Sequence, residues 1–245
     1  MKITNTKNIS ATTALKMVVY GNSGVGKTSL AKTIGEPTLL ISAESGLLTL
    51  AGADIDVIDI SQDDNGNVIP KEKRIQRLGE VYQFLLSDEA KKKYRWIFID
   101  SLTEISQNLV EALQAEYPDR KDSLVLYGEN SKRLRSLVKS FRDLPHYNVI
   151  FTALSVIDKD ESGIRFTTID LVGNFASKLP GFFDEVFYMT VDKDGKRFLV
   201  TETTDRAVAK DRSGRLDKLE VPDLSVISSK IRQEQQQQIK AKGAK

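Results

Sequence analysis

The residues best suited to chemistry gather at Gly21-Asn22-Ser23-Gly24-Val25-Gly26-Lys27-Thr28, which fits G-x-x-x-x-G-K-[ST] at every position. Glycines let a backbone turn so that successive N–H groups face a polyphosphate. A helix starting there adds unpaired donors and the positive end of its dipole. In that chemistry Lys27 supplies a point charge at the β and γ oxygens, Thr28 offers a hydroxyl to Mg²⁺, and Ser29 completes the set of nucleotide-binding positions. The Asn/Thr-Lys-x-Asp signature that reads guanine is absent, which points to ATP as the ligand.

Two carboxylates extend the set. Asp100 ends the apolar run Trp96-Ile97-Phe98-Ile99, so a buried strand delivers it beside the phosphate loop as the second metal partner. A strand-end Asp that caps the next helix is the simpler alternative. The following residue is Ser101, whereas many ATP-splitting enzymes place a water-activating Glu there. Glu44, just past the apolar Thr38-Leu39-Leu40-Ile41, is the best-placed substitute: if its strand lies beside that of Asp100, both carboxylates emerge at one sheet edge. Otherwise Glu44 is a surface loop residue.

The elements that must position these groups read as an α/β domain with a mostly parallel sheet. Leu15–Tyr20 is a buried strand, followed after the Gly-rich loop by a short helix from Lys27 to about residue 34. Further strands are expected at 38–41, 57–60, 96–99 and 149–152, with helices at 71–86, 102–116 and about 129–143. The last third changes character: RFTTID, EVFYMTV and KRFLVTE are strand-like, and the DKDG turn marks an antiparallel hairpin. A terminal helix follows Pro222. The body is expected to span residues 1–227, with a basic, Gln-rich tail over 228–245.

Composition narrows the function classes. The chain has 245 residues with 36 Lys+Arg against 34 Asp+Glu, and no Cys, which excludes disulfides, thiolate zinc sites and Cys nucleophiles. A single His146 leaves nothing from which to build a His metal cluster or a Ser-His-Asp relay; it reads as a surface or boundary residue. No apolar run approaches the roughly 20 residues that span a bilayer, and MKITNTKNIS lacks a signal-peptide core. A cytoplasmic protein with no membrane partner is the expectation. The tail carries a balance of +4 and the body −2, so nucleic-acid contact must come from local patches or the tail.

The order of phosphate loop, strand ending in Ala43-Glu44, then Gly52-Ala53-Asp54-Ile55-Asp56, Ser61-Gln62 and Ile99-Asp100-Ser101 resembles the core of RecA recombinases. With Arg197-Phe198, Lys210-Asp211-Arg212 and Pro222-Asp223-Leu224, the chain from about residue 12 to 230 is similar to compact phage-encoded RecA-like ATPases, some of which anneal single strands. That resemblance implies a RecA-like P-loop NTPase core with C-terminal antiparallel strands. It implies Glu44 as catalytic base, and a homo-oligomeric filament or ring acting on single-stranded DNA, with a single-strand DNA-binding protein as a further partner. The setting would be a phage or prophage protein in a bacterial host. In such an assembly Lys210 or Arg212, with Arg206 a further candidate, would complete a neighbour's site in trans; as a bare sequence the cluster is also a solvated loop.

One departure stands out. The next core strand reads Val149-Ile150-Phe151-Thr152-Ala153-Leu154-Ser155, so only Thr152 or Ser155 is placed to sense a γ-phosphate. The segment 158–174 mixes Lys159 and Arg165 with four acids, which suits a hairpin better than a phosphate grip, and Phe166 suits a core position. Lys91-Lys92-Lys93 reads as a helix end, and Lys132, Arg133, Arg135, Lys139 and Arg142 form the densest basic patch of the body. The competing class is a nucleotide-dependent switch or assembly ATPase that contacts protein alone. A small-molecule kinase is a third reading, weakened by the absence of a recognisable lid.

Overall fold

A computed structural model describes residues 14–44, 46–119, 123–159 and 162–232. Its strands are β1 (Lys16–Gly21), β2 (Thr38–Ser42), β3 (Asp56–Asp59), β4 (Trp96–Asp100), β5 (Asn148–Lys159), β6 (Arg165–Ile169), β7 (Glu185–Val191), β8 (Arg197–Val200), β9 (Lys210–Asp211) and β10 (Leu219–Glu220). The helices are α1 (Lys71–Leu85), α2 (Asp88–Lys93), α3 (Leu102–Glu116) and α4 (Ser123–Arg142), with a last helical stretch over 224–232.

The main sheet runs β10-β8-β7-β1-β5-β4-β2-β3, and from β7 to β3 every neighbouring pair is parallel. Crossover connections put helices on both faces of such a sheet, so its strands are buried on both sides and read as continuous apolar runs. Alternation sorts the side chains. Val18, Tyr20, Leu39, Ile41, Ile97, Ile99, Val149 and Phe151 face one core, under α1, α3 and α4. Met17, Val19, Leu40, Trp96, Phe98 and Ile150 face the other, with Leu30, Ile34, Leu224, Ile227 and Ile231. The antiparallel strands of the last third complete the architecture: β8 and β9 pair with β7, and β6 folds back on β5.

Several local expectations change in detail. The segment after the phosphate loop is a 3₁₀ helix, Thr28–Thr33, closed by Gly35 at φ +70°. The helix expected from residue 129 begins at Ser123, because Gly128 is carried inside it and does not stop it. Lys91-Lys92-Lys93 does end a helix, capped at its start by the Ser87 hydroxyl, which accepts from the Ala90 N–H at 3.2 Å. The segment around residue 158 is an antiparallel β5–β6 hairpin, with Phe166 half-buried in it. The helix over 224–232 crosses the expected boundary at residue 227, and Ile231 still packs in the core. The Gln-rich part of the tail, from residue 233, lies outside the described residues. No helix among the described residues is long and apolar enough to cross a membrane.

Candidate active site

The site forms where β1, β2 and β4 end at the same edge of the sheet. At Gly21 a side chain is impossible, because a Cβ would lie 2.3 Å from the Met189 carbonyl oxygen on β7. Gly24 and Gly26 turn the loop through left-handed φ of +78° and +104°. Lys27 then curls back, and its ammonium donates to the carbonyls of Gly21 and Asn22, both at 2.9 Å. Burial lowers the Lys27 pKa from its ordinary value, while the charges of Asp100 and Glu44 pull it back up. A cavity of ≈ 480 Å³ opens here, lined by Ser23, Gly24, Gly26, Lys27, Thr28 and Ser29 of the expected nucleotide-binding set. Gly21, Asn22 and Val25 do not line it. Val25 is buried against Gly21, and Asn22 accepts a 2.6 Å hydrogen bond from the Ser155 hydroxyl.

The strand order meets the condition set for the two carboxylates. β2 pairs directly with β4, Ser42 opposite Asp100, and the Ala43 N–H donates to the Asp100 carbonyl at 2.6 Å. Asp100 and Glu44 both border the cavity, with Asp100 buried and Glu44 exposed to it. Each Asp100 carboxylate oxygen takes one hydroxyl: Oδ2 accepts from Thr28 at 2.6 Å, and Oδ1 from Thr152. The Ser101 hydroxyl donates to Glu44 Oε1 and also accepts from the Glu104 N–H at the start of α3. Of the two sensor candidates, then, the fully buried Thr152 serves Asp100, and Ser155 reaches the phosphate loop.

The donor set suits a hard divalent cation. Thr28 gives its proton to Asp100, which leaves hydroxyl lone pairs for a metal, and Asp100 supplies the nearby carboxylate. Among the described residues no group of three or more His, Cys, Asp or Glu is gathered as a metal cage. Mg²⁺ needs no such cage, since one or two protein oxygens with water and substrate phosphates are its usual shell.

The other charged candidates fall elsewhere. Lys210 and Arg212 lie by the start of β7, at the end of the sheet opposite the phosphate loop. The Lys210 ammonium donates to the carbonyls of Pro180 (3.1 Å) and Phe183 (2.6 Å), and Arg212 pairs with Asp184 at 2.8 Å. Neither reaches the cavity of its own chain. Arg206 is exposed in the loop beside β6, where its carbonyl accepts from the Thr167 N–H. The basic patch on α4 is engaged within the molecule. Arg133 forks onto Glu116 and binds Glu129, Lys132 pairs with Glu129, and Arg135, Lys139 and Arg142 lie over the Phe175 and Phe182 rings.

Sequence reasoning missed two participants. Ser101 reads only as the absence of a Glu, yet it ties Glu44 to the end of β4. Arg197 reads as a strand residue, yet its side chain borders the cavity. The DKDG turn was the available signal for Arg197, because it fixes which residue starts β8.

A family model described as "AAA domain" matches residues 13–213. No curated protein matches the sequence. Among solved structures, an ATPase from the type III secretion system of pathogenic bacteria is similar, with a TM-score of 0.46 and 16% identity over 73% of this chain. The match takes in 51% of that chain, so this protein spans about half of it.

Proposed function

The chain belongs to the AAA domain family of P-loop ATPases, and on that premise we propose that it is a Mg²⁺-dependent ATPase working on single-stranded DNA as a homo-oligomer. One observation carries the catalytic part: Lys27, Thr28, Asp100 and Glu44 border a single cavity at the ends of β1, β2 and β4. In this reading the loop and Lys27 hold the triphosphate. Thr28 and Asp100 would hold the cation, whose charge would offset that of the phosphates. Glu44, oriented by Ser101, accepts a proton from the attacking water. Ser155, at the root of the β5–β6 hairpin, links the phosphate loop to an element that projects beyond the parallel sheet.

Support for DNA as the partner is the resemblance to RecA-like phage proteins. Lys210, Arg206 or Arg212 would then act on a neighbouring subunit's site. The second reading, a switch that contacts protein, is favoured by the α4 patch, whose cations already face acids and aromatic rings. Two measurements decide. Calorimetric titration should show ATP binding that strengthens with Mg²⁺. Binding of a fluorescent single strand should fall steeply with salt and respond to nucleotide. Mg²⁺-supported ATP binding with no DNA binding even at low salt favours the protein-switch reading instead.

A further inference from the structure

The cavity holds a second cation that the phosphate-loop pattern does not contain. The turn Asp192–Lys196 builds it in: the Asp192 carboxylate accepts from the Asp194 N–H (3.0 Å) and the Lys196 N–H (2.9 Å), and Gly195 takes φ +78°. This closes the β7–β8 hairpin with Arg197 opposite Val191, two residues beyond the Met189 that backs Gly21. The Arg197 side chain consequently lies against the phosphate loop. A Cβ built on Gly26 would sit 3.3 Å from its Nε and 3.4 Å from its Cδ.

Among the described residues Arg197 has no hydrogen bond or ion pair, although it borders the same cavity as Asp100 and Glu44. By contrast Arg77, Arg133 and Arg212, which also lie near acidic groups, each pair with one. A guanidinium presents a fork of donors matched to phosphate oxygens. We propose that Arg197 is a nucleotide-binding residue supplied by the same chain, gripping the diphosphate part of the ligand from the β8 side. This deepens the nucleotide reading of the cavity and rests on it.

The side of approach sets the role. β8 and β7 flank β1 on one side, while Asp100 and Glu44 come from β4 and β2 on the other. Metal and attacking water therefore belong to the far side, and Arg197 meets phosphates that ATP and ADP share. Its loss should weaken both nucleotides alike, and leave the chemical step at saturation nearly unchanged.

Arg197→Ala, Arg197→Lys and a Lys196→Ala control should be titrated with ADP and with ATP by calorimetry, and their turnover measured at saturating ATP. Loss of a charged hydrogen-bonding partner corresponds to about ten- to hundredfold in affinity. We expect that loss for both nucleotides in Arg197→Ala, partial recovery in Arg197→Lys, none in the control, and kcat within about threefold. Unchanged ADP affinity in Arg197→Ala overturns the assignment, as does a fall confined to kcat. Failure of the unaltered protein to bind any nucleotide strikes the reading of the cavity itself, a different result. Arg197 is exposed, so the variants should keep the parent's thermal melt.

Discussion

At the scale of single residues, the site turns on how a Ser replaces a Glu. The Ser101 hydroxyl bonds to Glu44 and caps α3, so one side chain couples the proposed base to a rigid helix start. Glu44→Gln should keep ATP affinity and lose turnover by about 10²-fold or more. Ser101→Ala should lower kcat by about tenfold while KM moves little, because Glu44 stays present but less firmly aimed. Its lost cap costs about 1 kcal/mol of stability, which a melt records separately, and Ser101→Thr should restore turnover. Full activity in Glu44→Gln would remove Glu44 as the base. Much of this was legible beforehand. Lys27, Thr28 and Asp100 follow from residue type and from the strands that precede them. Glu44 needed the β2–β4 pairing, which no local pattern states, and Arg197 needed β7 to lie beside β1 before the hairpin could bring it to Gly26.

At the scale of elements, the short strand β9 shows why Lys210-Asp211-Arg212 reads as a charge cluster and folds as an anchor. Asp211 accepts from the Ser213 hydroxyl (2.6 Å) and from the N–H groups of Gly214 (3.0 Å), Arg215 (3.0 Å) and Leu216 (2.9 Å). Opposite it in the ladder, Glu185 is buried, and burial with the neighbouring Asp211 charge raises its pKa from 4.5 to about 8. In the native protein Glu185 thus keeps its proton between about pH 4.5 and 8, where the unfolded chain has lost it. The native state then binds more protons than the unfolded one, and stability falls as pH rises across that window. Asp184 and Lys210 also face this group; Lys16, lowered by burial to about 8, adds an opposite slope only above that pH. Glu185→Gln should flatten the dependence, gaining roughly 1–3 kcal/mol on the parent between pH 5 and 8. Denaturant midpoints at both pH values check it; parallel curves would show that Glu185 is charged in the native state. The sequence shows the strands of this region through their alternation. It does not show that β9 pairs with β7, because two residues carry no period.

At the scale of the whole molecule, the sheet order separates two sets of cations. Arg197 meets the chain's own cavity, and Lys210 and Arg212 sit at the opposite end of the strands. If the latter serve a neighbouring subunit, turnover per chain must rise with protein concentration. Of the two, Arg212 is the cleaner probe, since Lys210 also holds main-chain carbonyls. Arg212→Ala should lower turnover by on the order of tenfold or more at high concentration, with nucleotide affinity intact. Equal turnover at every concentration would place Arg212 in the surface pair with Asp184 and nowhere else.

The Leu224 N–H donates to the Thr33 hydroxyl at 2.9 Å, across 191 positions of sequence, and Leu224 seals the core beneath the phosphate-loop helix. During synthesis that helix waits for these covering residues while the ribosome adds the 191 positions that separate them, roughly 10 to 40 s at 5–20 residues per second. A nascent chain therefore carries its most recognisable motif long before that motif has a floor to stand on. Pro222 borders the finished cavity, so its lining is complete only after that residue has joined the chain.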